Sequence, residues 1–137
     1  MIESKKREGK ERSVTAQKKK TYDKGLKAEK AAAAWLRLRG YKILQSRYKT
    51  KYGEIDLIIK KKNMIAFVEV KARKTKFEAL ESVTPRAQQR ITRAALHYIS
   101  ENNLENNDFR FDVVSVFPSI LGIATIEHLD NAWEASA

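Results

Sequence analysis

Asp56, Glu69 and Lys71 stand inside the stretch GEIDLIIKKKNMIAFVEVKARK, residues 53–74, which otherwise reads as two apolar strands around a short basic turn. A buried charge costs several kcal/mol unless it is paired or holds a metal, and strands that only build a core do not usually carry three. Alternation along a strand puts Glu69 and Lys71 on one face, with Val68 and Val70 on the other. If Lys62 and Asn63 form a two-residue turn, the numbers of facing residues sum to 125, so Asp56 faces Glu69 and Glu54 faces Lys71. A turn at Lys61-Lys62 leaves Asp56 diagonal to Glu69 on the same face. A three-residue loop separates them.

Two adjacent carboxylates repel, and one takes up a proton unless a cation sits between them. A hard divalent ion such as Mg2+ suits oxygen ligands and keeps several waters. Lys71 beside it can hold a phosphate oxygen or orient a water. These are the parts of metal-assisted phosphodiester hydrolysis. A solvated polar face with a Glu54–Lys71 ion pair is the structural alternative.

The elements that must position these residues follow from the pattern of the 137-residue chain. A helix is expected from about Tyr22 to Arg39, with Asp23 as N-cap and Gly40 as stop signal. Its Lys27, Lys30 and Arg37 face one way, and Ala28, Ala32, Trp35 and Leu36 face a core. Strands are expected at 41–49, 54–60 and 64–73, and residues 74–83 read as a polar loop. Thr84-Pro85 opens a second helix whose Ala87, Ile91, Ala94, Ala95 and Tyr98 keep helical spacing. Strands at 109–117 and 120–129 flank Pro118-Ser119. The order α-β-β-β-α-β-β describes an α/β domain, a mixed sheet flanked by helices, over residues 22–137. Residues 1–21 read as a disordered basic arm.

Charge suggests the partner. Eight basic against three acidic residues give +5 over residues 1–20, nineteen against seven give +12 over 21–100, and one against seven gives −6 over 101–137. A one-sided basic field suits a polyanion, hence nucleic acid. The chain has no cysteine, which excludes disulfides, thiolate zinc sites and a thiol nucleophile. The longest apolar run, AAAAWL, is too short for a membrane span, and no signal peptide is apparent. A cytoplasmic protein without membrane contact is expected. His97 reads as a helix-surface residue and His128 as a strand-end residue, too isolated for a histidine metal site.

Asp56, a gap of twelve residues and then Glu69-Val70-Lys71 resembles the PD-(D/E)xK motif of the restriction-endonuclease-like superfamily, with Ile55 in place of the motif's proline. More narrowly, AEK, GYKIL, GEIDLI, FVEVKAR, TPRAQQRI and FRFDVV, in that order over about residues 22–133, resemble the YraN-type family of uncharacterised bacterial proteins. The resemblance implies a restriction-endonuclease-like domain with Mg2+ or Mn2+ held by Asp56, Glu69 and the Val70 carbonyl. Lys71 would be the catalytic lysine. Similarity to Holliday-junction resolvases adds Glu29 as a further metal ligand. The helical neighbours of Glu29 are Leu26, Ala32, Ala33 and Leu36, an unusual setting for a solvated glutamate. Gln88 is an auxiliary candidate by likeness to RecB-type nucleases. Asp112 matches a family position and reads as structural.

The implied activity is hydrolysis of DNA, branched DNA included. Two symmetric cuts need two sites, so a homodimer would serve a junction substrate. The alternatives are a non-catalytic nucleic-acid-binding accessory protein and an RNA-directed nuclease. No aromatic-rich strand of the RRM kind speaks for RNA.

Overall fold

In a computed structural model that describes residues 24–119 and 121–135, helix α1 spans residues 24–38. It stops where expected. Gly40 takes φ +92, and the Tyr41 N–H closes the end on the Leu36 carbonyl at 3.1 Å, a left-handed cap that glycine adopts without a Cβ penalty. The expected arm over residues 1–21 and the Asp23 cap lie outside the described residues.

Strands β1 (Lys42–Lys49), β2 (Glu54–Lys61) and β3 (Met64–Lys71) form an antiparallel meander. Helices α2 (Lys76–Glu81) and α3 (Pro85–Glu101) then lead to β4 (Asp108–Pro118), which pairs in parallel with β3. Strand β5 (Ala124–Trp133) returns antiparallel. The result is a five-stranded mixed sheet in the order β1-β2-β3-β4-β5. Ala28, Ala32 and Leu36 of α1 cover one face. Ile91, Ala94 and Ala95 of α3 cover the other. Among the described residues no helix is long and apolar enough to cross a membrane.

Helix α3 begins as its sequence dictates. The Thr84 hydroxyl accepts from the Ala87 N–H at 3.1 Å, and Pro85 occupies the first turn, where its missing N–H costs nothing. Two expectations need correction. The stretch read as a polar loop, 74–83, contains α2, nucleated by Thr75, whose hydroxyl accepts from the Glu78 N–H at 3.1 Å. The Thr-x-x-Glu signature of that cap is present in the sequence, but six helical residues are too few to show a period. The last strand runs over 124–133, not 120–129. Ser119 to Ile123 close a turn, with Gly122 at φ +80, so Leu121 and Ile123 sit exposed at a hairpin tip instead of alternating in a strand.

Asp112 is the buried polar hub of this layer. It is 0% exposed and accepts from the Arg110 Nε at 3.0 and 3.1 Å and from the Asn131 N–H at 3.1 Å. His128 Nε2 lies 2.7 Å from the same carboxylate. Arg110 in turn donates to the Tyr41 hydroxyl at 2.7 Å. The structural reading of Asp112 holds, but His128 is not a strand-end residue: it sits within β5 and packs edge-on against Trp35 and Tyr41. Asp112→Asn should cost about 2 kcal/mol, since charge-assisted hydrogen bonds become neutral ones. Denaturant melts of the variant check this.

Candidate active site

The turn between β2 and β3 is the two-residue one, and every facing pair from Lys61 and Met64 to Leu57 and Val68 sums to 125. Strict alternation nonetheless lapses near the site. Ile55 packs into the α3-side core, whereas Leu57 and Ile59 pack on the α1 side. The β1–β2 register shifts by one residue between Ile43 and Gln45 and then holds from Gln45 to Lys49. Across the ladder, at the position facing Asp56, Arg47 adopts φ +52. A non-glycine residue there stores on the order of 1–3 kcal/mol, a cost that tends to persist at functional sites.

Asp56 meets Glu69 in this distorted corner. The Asp56 Oδ2 accepts from the Val70 N–H at 2.8 Å, and the Glu69 carboxylate lies near enough for its charge to act on Asp56. Burial, then the charges of Glu69 and Glu29, push Asp56 up to about 8, against the Val70 hydrogen bond and the Lys71 charge. Burial likewise raises Glu69, and Lys71 opposes it. Burial thus favours the protonated form of both carboxyl groups when no cation is near. Lys71 Nζ lies 3.4 Å from Glu69 Oε1. It does not form the Glu54–Lys71 pair of the structural alternative; no such pair occurs among the described residues.

Glu29 contributes charge to both carboxylates, but its own Oε2 accepts from the Arg47 Nε at 2.7 Å. Among the described residues no group of three or more His, Cys, Asp or Glu side chains is arranged to hold a metal ion. Two paired carboxylates remain, and two suffice for an ion that keeps most of its ligand shell as water and substrate phosphate. Val70 offers its N–H to Asp56, while its side chain is buried on the α1 side. The Gln88 amide donates to the Val83 carbonyl at 3.2 Å. Arg47 is the residue that reading the sequence misses. Nothing in SRYK marks it, because its role depends on a helix 18 residues earlier.

A cleft of about 340 Å3 opens beside Glu69, between Gly53-Glu54 and the first turns of α3, with Arg86 and Arg90 on its wall. Gly53 sets its width. A Cβ there would stand 3.2 Å from the Arg90 Cβ and 3.3 Å from the Arg90 carbonyl oxygen, so only glycine allows this approach without moving backbone. Gly53→Ala should cost about 1–3 kcal/mol by overpacking, read as a lowered melting midpoint.

A sequence profile of the Uncharacterised protein family UPF0102 matches residues 28–116, a span that takes in Glu29, Asp56, Glu69, Lys71 and Gln88. The chain is similar to a UPF0102 protein of Rhodopseudomonas palustris (strain BisB18), 46% identical over 82% of this chain and 81% of the relative. A UPF0102 protein of Sulfurihydrogenibium sp. is 44% identical over 80% of this chain and 93% of its own length. One of Bartonella tribocorum is 42% identical over 74% and 79%.

Proposed function

This chain belongs to the uncharacterised protein family UPF0102, and from that premise we propose that it is a metal-dependent DNA endonuclease with a restriction-endonuclease-like fold. The observation that carries the reading is the buried carboxylate pair Asp56–Glu69, with Lys71 Nζ 3.4 Å from Glu69 and Glu69 lining a cleft walled by arginines. A structural ion pair needs no second buried carboxylate, and the cost of keeping one is explained by a cation that replaces the proton.

Asp56 and Glu69 would hold Mg2+ or Mn2+, with the Val70 carbonyl as a backbone ligand. The ion, when bound, would supply Lewis-acid charge to the phosphodiester. Lys71, released from Glu69, would clamp a phosphate oxygen. Glu29 would act through its charge on the pair or as a further ligand on leaving Arg47, to which it is now bonded. Symmetric cutting of branched DNA would take two copies of the chain.

A second reading, a nucleic-acid-binding protein without cleavage, is favoured by the engagement of Glu29 with Arg47. One assay separates the two. Labelled branched, nicked and single-stranded DNA, and an RNA counterpart, are incubated with Mg2+ or Mn2+ against EDTA. Metal-dependent cleavage that disappears in Asp56→Asn supports the nuclease. Binding without cleavage of any substrate replaces it with the accessory protein.

A further inference from the structure

Helix α3 carries Arg86, Arg90, Arg93 and His97 at i, i+4, i+7 and i+11, one face of the helix. The row runs about 16 Å along the axis, long enough for several phosphates. Its first two members line the cleft beside Glu69. Its last two line a second hollow of about 410 Å3 with Tyr52 and Leu96. Among the described residues none of the three arginines has an ion-pair partner.

At the far end stands an aromatic ledge. Tyr52 is 37% exposed, with the His97 ring 6.0 Å away and the Lys51 ammonium 5.2 Å from its centroid. His97 is tethered to Glu101 at 2.9 Å. The loop presenting Tyr52 is held by Thr50, whose hydroxyl accepts from the Tyr52 and Gly53 N–H groups at 3.1 Å each. Gly53 then rests on the Arg90 backbone, so the ledge and the arginine row adjoin on one side of α3, with Glu69 at the Arg86–Arg90 end.

We propose that this surface is a track for an unpaired nucleic-acid strand, with phosphates along Arg86, Arg90 and Arg93 and a base stacked on Tyr52. The inference rests on the nucleic-acid reading above and adds a substrate class to it: DNA with a single-stranded segment beside the cleavage point. Cations in a row with an exposed ring recognise single strands because every base has a stacking face, whereas a duplex hides it.

The test measures fluorescence anisotropy of labelled oligothymidylate and of a duplex of equal length, in EDTA so that no cleavage intervenes. Tyr52→Ala should weaken single-strand binding about 5- to 100-fold and leave duplex binding unchanged, with Tyr52→Phe retaining wild-type affinity. Arg93→Gln should lower the salt slope by about one. Equal single-strand affinity of Tyr52→Ala and wild type overturns the track, as does an equal loss for strand and duplex. The track and the nuclease reading fail separately. Tyr52-dependent binding without cleavage by any metal keeps the first and removes the second, and cleavage indifferent to Tyr52 does the reverse.

Discussion

With Mg2+ present, Lys71→Met should cut DNA about 100- to 1000-fold more slowly than the wild type, the usual cost of losing one preorganised electrostatic contact. Methionine keeps much of the stem's bulk, and the Lys71 side chain is partly exposed, so the fold should survive. Affinity for DNA in EDTA should change little, because it comes from the distributed basic surface. A further consequence separates loss of Lys71 from general damage. The lysine charge holds both Asp56 and Glu69 down, so its removal lets the pair keep its proton to higher pH, and metal must compete for it. The pH dependence of residual cleavage should therefore move upward. A mutant that cleaves as fast as the wild type would show that Lys71 takes no part.

Metal-free wild-type protein should lose stability as pH rises from about 4 to about 8, against the common behaviour of carboxylates. The sign follows from Asp56, raised from an ordinary 3.8 to about 8 by burial and then by Glu69. Between those values the folded state binds more protons than the unfolded one, so unfolding free energy falls with pH. The gap bounds the loss at roughly 6 kcal/mol, and coupling to Glu69 reduces it. Asp56→Asn mimics the protonated residue. Its amide can still accept from the Val70 N–H and donate to Glu69, so the variant should melt with little pH dependence and above the metal-free wild type at pH 8. Mg2+ should raise the melting point of the wild type, increasingly so at higher pH as the proton leaves more easily, and leave Asp56→Asn unmoved. Melts across pH with EDTA or Mg2+ measure all of this. A mutant far less stable than the metal-free wild type would point to a structural ion pair instead.

The β2–β3 hairpin, the first helix and the start of α3 were all legible from local chemistry. A two-residue turn fixes the register sum, a glycine after the last helical turn marks the stop, and Thr-Pro caps a helix. Helix α2 was missed although its Thr75 cap is a local signal, because no apolar period supported it. The β5 boundary was misread because Leu121 and Ile123 are apolar but lie at an exposed tip, and alternation cannot tell a buried residue from an exposed one.

What lay within about fifteen residues along the chain, the Asp56–Glu69–Lys71 constellation included, could be read in order, because turn geometry and strand period carry it. The remainder of the site came from contacts across the fold. Glu29 reaches Arg47 over 18 residues, and Arg110 reaches Tyr41 over 69. Arg47 takes its strained backbone opposite Asp56. Gly53 is required because α3, far along the chain, packs against it. Such contacts depend on which surfaces meet once the sheet is layered between helices, and no periodicity in the chain encodes that meeting.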